Sequence, residues 1–331
     1  MISTAPSLTA IRDIYTKMLL TRIIENHARK LYTWNYVQSV ASCRGHEAAQ
    51  VGSAVCIEVG NDFTLPYYRD LGVVLTVGMT PYEVFRTYLQ TRGDDSRTRS
   101  SDQHINKSLS PISSTQHWGY HKHNTITGPT PVATQLLHAA GIAFASKLRK
   151  ASAVTVAYCG DEIIAEPDFL ESLRFAAQHT LPALFICEQD CSNSRLDPSL
   201  VPSCTQKIEL PAQLIHQRLD GTDIVAVYTA TLAALQNARE GRGPTLLEMY
   251  ITRQLPDLHT PSTKNEQKAI HAANVPFVSL QRGDPLMRCQ RYLEEQDAWD
   301  EEWAMQLAIR LEAEVERALQ DALRDTLQLT R

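Results

Sequence analysis

The sequence predicts an α/β fold, a parallel sheet with helices on both faces. Three observations carry that expectation. Two near-continuous apolar runs, "AVTVAYCGD" at 153–161 and "PALFICEQD" at 182–190, flank a segment of helical period. The same alternation returns as "DIVAVYTATLAALQNARE" at 223–240 followed by "PTLLEMYIT" at 244–252. Strands buried on both faces read as unbroken apolar stretches, and helices alternating with them build parallel sheets. Third, the first two runs both end in acids, Asp161-Glu162 and Asp190. In open parallel sheets ligands gather outside the carboxyl ends of the strands, where these acids fall.

Along the chain, residues 8–36 place Ile11, Ile14, Tyr15, Met18, Leu19, Ile23 and Ile24 at the three-and-four spacing of an amphipathic helix. A second helix is predicted from Gly45 toward Val59, then a turn with a short extended piece and Tyr68-Arg69-Asp70, then a helix from Val73 to Leu89. Residues 91–131 are rich in Ser, Thr, His, Asn, Gly and Pro, a polar loop long enough to suggest a function. Helices are expected again at 132–148 and 169–179. These segments read as one domain over 1–331: a helical part at about 8–90, the loop at 91–131, an α/β core at 132–255, and a loop with C-terminal helices at 256–331.

Composition narrows the function classes. The chain has 331 residues, 43% hydrophobic and 21% charged, with a formal net charge of −5. That balance leaves no basic footprint for nucleic acid or an anionic membrane surface. No apolar stretch approaches the roughly 18 residues of a spanning helix, and the N-terminus lacks a signal peptide pattern, so a cytoplasmic location is expected. The seven cysteines are odd in number, dispersed and without a Cys-x-x-Cys pair, and read as reduced, mostly buried thiols. His117, His121 and His123 have a spacing open to a metal reading, but no acidic or thiol framework accompanies them, and solvated loop histidines are the simpler account.

Asp161 and Asp190 stand at the tips of two strands joined by one crossover helix, so their side chains can converge. Converging carboxylates repel unless a divalent cation intervenes, and Mg²⁺ favours one or two carboxylates plus ligand phosphate oxygens. Acids that merely cap helices or face solvent are the alternative.

Gly160-Asp161 followed by Asp190 resembles the thiamine diphosphate signature, which opens Gly-Asp-Gly and closes on an Asn pair. "EPDFLESLRFAAQHTLPALFICE" at 166–188 is similar to the same stretch in α subunits of the decarboxylating component of 2-oxo acid dehydrogenase complexes. "GHEAAQVG" at 45–52, "PYYRDLG" at 66–72, "TPVATQLLHAAG" at 130–141, "LDGTDIVAVY" at 219–228 and "GDPLMRCQRYLEEQDAWDEEW" at 283–303 resemble that family in order. The resemblance spans about residues 10 to 320 and implies a thiamine-diphosphate-binding fold.

It implies roles as well. Asp161, Asp190 and the Ser192 carbonyl would be the Mg²⁺ ligands. Tyr68 and Arg69 would hold the diphosphate, Thr130 and Val132 the aminopyrimidine, and Gly160 and Glu162 would lie beside the cofactor. Pro131, Thr134 and Gln135 match a monovalent-cation loop. In the loop where the family carries a catalytic His, "RQLPDLHTPST" offers Asp257 without a gap and His259 with a short insertion; His259 is the expectation. Two departures stand out: Glu162 replaces a Gly and Asp190 replaces an Asn. The implied function is oxidative decarboxylation of a 2-oxo acid with acyl transfer to a lipoyl-bearing acyltransferase, by two such α chains and two β chains. "PYYRD" and the stretch from Arg99 to His104 look nearer to branched-chain, 2-oxoisovalerate-type enzymes than to pyruvate enzymes. The alternatives are a non-catalytic binding subunit of the same fold, or another thiamine-dependent 2-oxo acid or acetoin enzyme.

Overall fold

The computed structural model describes residues 5–97, 118–119, 121–126, 133–192, 208–259 and 283–329. Its centre is a five-stranded, all-parallel sheet in the order β2-β3-β4-β6-β5: β2 (Phe63–Leu65), β3 (Thr155–Gly160), β4 (Ala183–Asp190), β5 (Ile215–Asp220) and β6 (Thr245–Ile251). The two runs read as buried strands are β3 and β4, and they neighbour each other with Gly160 opposite Glu188.

Alternate residues of these strands enter two different cores, as the period of a strand requires. Ala157, Cys159, Phe185 and Cys187 pack with Leu136, Ala140, Phe169 and Leu173 from α5 (Thr134–Leu148) and α6 (Pro167–Gln178). Val156, Tyr158, Leu184 and Ile186 pack on the opposite face with Ala49 of α2 (Glu47–Ala54) and Val227 and Leu235 of α7 (Ile224–Arg239). Asp223 caps α7 by accepting from the Val225 and Ala226 N–H groups at 3.0 Å. A third core joins α1 (Leu8–Thr33) to the C-terminal helices α8 (Pro285–Glu295) and α9 (Glu301–Leu329), through Ile11, Met18, Leu293 and Leu311. Among the described residues no helix is long and apolar enough to cross a membrane.

Three elements differ from expectation. The helix expected from Val73 to Leu89 is two, α3 (Leu71–Thr76) and α4 (Pro81–Arg97). Gly78, at φ 120°, ends the first: its N–H reaches Leu75 O and the Met79 N–H reaches Val74 O, a cap that needs a left-handed residue. The helix expected from Gly45 to Val59 occupies only Glu47–Ala54. Strand β5 was not anticipated; as a sheet edge it leaves Ile215, His216 and Gln217 exposed, so its sequence lacks the apolar run that marks a buried strand.

A small antiparallel ladder lies outside the main sheet. Ser39–Val40 (β1) pairs with Leu258–His259 (β7). This pairing brings the segment after β6 back across the strand tips.

Candidate active site

The two acidic tips meet. Asp161 opens a short 3-10 turn, Asp161–Ala165, directly after β3, and its neighbour Ile163 is buried as an anchor. Asp190 is the last residue of β4. Burial raises the Asp161 pKa above the ordinary carboxylate range, and the nearby Asp190 and then Glu162 raise it further. Asp190 is held by its surroundings: its carboxylate accepts from the Ser192 N–H at 2.9 Å and the Arg253 N–H at 3.3 Å, and pairs with Arg253 Nε at 3.1 Å.

Arg69 comes from the turn between β2 and α3. Asp70 closes that turn by accepting the Tyr67 N–H at 2.7 Å, and Gln50 donates to the Arg69 carbonyl at 3.2 Å. The Arg69 side chain is buried, with its guanidinium 4.8 Å from the centre of the Tyr68 ring. Both arms of the guanidinium fork meet the carboxylate of Asp257: Nη2 donates to Oδ2 at 2.8 Å, and Nη1 donates to Oδ1. Burial works against the charge of Arg69, but the bonds and charge of Asp257 outweigh it and hold the group firmly protonated. For Asp257 burial also opposes charge, and the Arg69 fork overcomes it, leaving the carboxyl below its usual range.

Asp257 is delivered by a strap fastened at several points. Gln254 N–H donates to Arg44 O and Arg29 Nη1 to Pro256 O, each at 3.0 Å, and the Ser42 N–H reaches Asp257 Oδ1 at 2.9 Å. Gly45 makes the close approach possible: a Cβ there would stand 2.0 Å from the Thr252 carbonyl oxygen, and its φ is 100°. The strap places Asp257 and His259 differently, though neither is among the residues lining the cleft. Asp257 lies on Arg69; His259 sits in the β1–β7 ladder, its carbonyl accepting from the Tyr32 hydroxyl at 3.0 Å.

Beneath the tips lies a buried polar layer that the sequence reading missed. Glu188, inside β4, meets His46 Nδ1 at 2.5 Å, and accepts from the Gln50 amide and the Tyr67 hydroxyl at 3.2 Å each. Burial, then the charge of Glu188, push the Asp70 pKa well above its ordinary value. The legible signal was "GHEAAQ": His46 and Gln50 are four residues apart, so a helix starting there presents both to one neighbour. His46 Nε2, Glu188 Oε1 and Gln135 Oε1 are buried without a protein partner, and their three residues line the cleft. Buried polar atoms with unused capacity at a cleft are the mark of a ligand site.

The cleft gathers Tyr68, Arg69, Gly160, Asp161, Glu162 and Asp190 of the expected residues, together with Gln135. Ser192 is exposed and donates its N–H to Asp190. Thr130, Pro131, Val132, Arg99, His104 and His117 lie outside the described residues. Two hard oxygen donors at adjacent tips suit a divalent cation that draws its other ligands from water and phosphate. Among the described residues no group of three or more His, Cys, Asp and Glu is arranged to hold a metal by itself. The anion seat fits a diphosphate by its chemistry, a planar Arg fork, but the fork holds Asp257, and the cleft leaves about 30 Å³ to the centres of water-sized atoms, room for a few waters at most. The thiols stand apart from this chemistry: none of the six described cysteines forms a disulfide, and burial pushes Cys56 and Cys289 up to about 12.

A parallel sheet with acids and a buried Arg at its carboxyl edge defines a class, and sequence comparison supplies its name. Residues 15–329 match the dehydrogenase E1 component family, and the chain belongs to it, an α subunit of the thiamine-diphosphate-dependent 2-oxo acid dehydrogenases. It is 31% identical over 292 residues to the 2-oxoisovalerate dehydrogenase subunit alpha of Bacillus subtilis (strain 168), covering 88% of this chain and 83% of that protein. It is 30% identical over 298 residues to the 3-methyl-2-oxobutanoate dehydrogenase subunit alpha of Mycobacterium tuberculosis (strain ATCC 25618 / H37Rv), covering 88% and 72%. The pyruvate dehydrogenase E1 component subunit alpha of Bacillus subtilis (strain 168) is 26% identical over 302 residues, covering 90% and 74%. The α/β sheet expected from the sequence is thus the fold of this family.

Proposed function

We propose that this chain is the α subunit of a branched-chain 2-oxo acid dehydrogenase, taking 2-oxoisovalerate-type substrates and passing the acyl group to a lipoyl-bearing acyltransferase. The observation that carries the reading is the convergence of Asp161, Asp190 and Arg69 on one cleft at the carboxyl edge of the sheet. The two relatives that act by name on 2-oxoisovalerate and 3-methyl-2-oxobutanoate favour the branched-chain assignment over the pyruvate one. Asp161 and Asp190 would hold Mg²⁺, with Ser192 adding its carbonyl; Arg69 and Tyr68 would hold the diphosphate. Thiamine diphosphate, when bound, supplies the electron sink that lets a 2-oxo acid lose CO₂.

The chain's own residues bind, orient and shield. The Arg69 fork fixes an anion in a plane, the Tyr68 ring covers the fork, and His46, held at Nδ1 by Glu188, presents Nε2 as a fixed polar contact. A β chain completes the enzyme, two α with two β, in the cytoplasm. Coexpression with the genomic β neighbour and a ferricyanide-coupled decarboxylation assay tests the reading: 2-oxoisovalerate should be preferred, and a preference for pyruvate removes the assignment. A second reading, a binding subunit without catalysis, has in its favour Glu162 and the pairing of Arg69 with Asp257. Saturable uptake of thiamine diphosphate with Mg²⁺ by the α–β complex eliminates it.

A further inference from the structure

The anion seat of this cleft is filled by the chain itself. Arg69 meets Asp257 through both arms of its guanidinium, the geometry with which an Arg fork takes a carboxylate or two phosphate oxygens. A third donor, the Ser42 N–H, completes the contact on Oδ1. The other guanidinium of the cleft is also engaged, since Arg253 lies 3.1 Å from Asp190 and 3.7 Å from Asp257. Asp257 stands on a strap fastened to Arg29, Ser42 and Arg44, so the contact is built rather than incidental.

We propose that Asp257 is a tethered anion that competes with phosphate-bearing ligands for Arg69, so that diphosphate uptake requires the strap carboxylate to leave the fork. The partners are unequal in a way that suits exchange. The Arg69 side chain is 7% exposed and held under Tyr68, whereas that of Asp257 is 33% exposed. The anchor stays and the carboxylate is the part free to swing out. Proximity favours the tethered group, because a carboxylate on the same chain has a high effective concentration at the fork. Asp257 thereby sets how tightly the cleft holds a diphosphate, and the residues lining the cleft do not include it.

This inference deepens the reading that the cleft takes thiamine diphosphate, and the test separates the two. The full chain, copurified with its β partner, is titrated calorimetrically with Mg²⁺-pyrophosphate and, separately, with Mg²⁺-thiamine diphosphate, as wild type, Asp257→Asn and Asp257→Ala. Asn keeps the shape and the acceptor for Ser42, so this variant guards against misfolding; circular dichroism checks both. Losing a charge-assisted pair of this kind corresponds to about tenfold or more in affinity, so pyrophosphate should bind the Ala variant about tenfold tighter, with the Asn variant between. A merely structural pair would give no gain. Unchanged or weaker pyrophosphate binding in both variants overturns the proposal, even if thiamine diphosphate binds saturably. Tighter pyrophosphate binding with no thiamine diphosphate uptake by any of the three proteins upholds the tethered anion and removes the cofactor reading.

Discussion

Gly45 offers a direct measure of how firmly the strap lies on the molecule. An Ala there would take φ 100°, a region that costs a side-chain-bearing residue about 1–3 kcal/mol. Its Cβ would also stand 2.0 Å from the Thr252 carbonyl oxygen, far inside the 3.4 Å at which ordinary contact begins. The obstacle is backbone, so relief means moving the strap, and overpacking of this sort adds about 1–3 kcal/mol. Gly45→Ala should therefore lose roughly 2–6 kcal/mol, which for a chain of this size lowers Tm by about 3–9 °C. Gly60 is the matched control: its φ is 89°, and nothing lies within 4 Å of the position its Cβ would take. Gly60→Ala should lose only the conformational part, about 1–3 kcal/mol. Both variants and the wild type are melted by circular dichroism at one scan rate, since a protein of this size can unfold irreversibly. Melting points for the two variants within about 1 °C of each other would refute the packing of Thr252 on Gly45.

Two further outcomes are expected. Asp161→Ala should abolish Mg²⁺-dependent uptake of thiamine diphosphate by the α–β complex while keeping or raising Tm, because burial and Asp190 already work against that carboxylate; calorimetry showing wild-type affinity would put the anchor elsewhere. Asp284, though burial opposes its charge, is held below the ordinary carboxylate range chiefly by Arg22, 2.7 Å away. A depressed folded pKa contributes stability that is present above the unfolded value of about 3.9 and lost as pH falls through the lower folded value. Asp284→Asn keeps the cap on α8, so it should cost about 1.5–3 kcal/mol at pH 7 and converge with wild type at the acid end. Urea midpoints from pH 7 down to about pH 2 check this; parallel curves for the two proteins would contradict it.

The core of the fold was legible because its signals are local. The runs at 153–161 and 182–190 contain β3 and β4, since strands buried on both faces are built mostly of apolar side chains, Glu188 being the buried exception that needs His46, Gln50 and Tyr67. Edge strand β5 was silent for the converse reason, and the break between α3 and α4 turned on Gly78 and Pro81, which a count of apolar spacing passes over. At the site, Asp161, Asp190, Arg69 and Tyr68 were readable as residue types at strand and turn ends. Their partners were not. Asp257 reaches Arg69 across 188 residues of sequence, and Glu188 reaches His46 across 142, and such pairings depend on how the sheet is covered rather than on spacing.

The lacing of residues 254–259 to the first helical region has an optical consequence. Tyr32 and Arg29, near the end of α1, hold the carbonyls of His259 and Pro256, and Trp34 follows as the C-cap of that helix with 54% of its surface in water. An indole so placed is a built-in fluorophore two residues along the chain from Tyr32, which holds the lacing. The difference in emission between the wild type and Trp34→Phe isolates that indole from Trp118, Trp299 and Trp303, and so gives a label-free view of the helix end that holds the lacing.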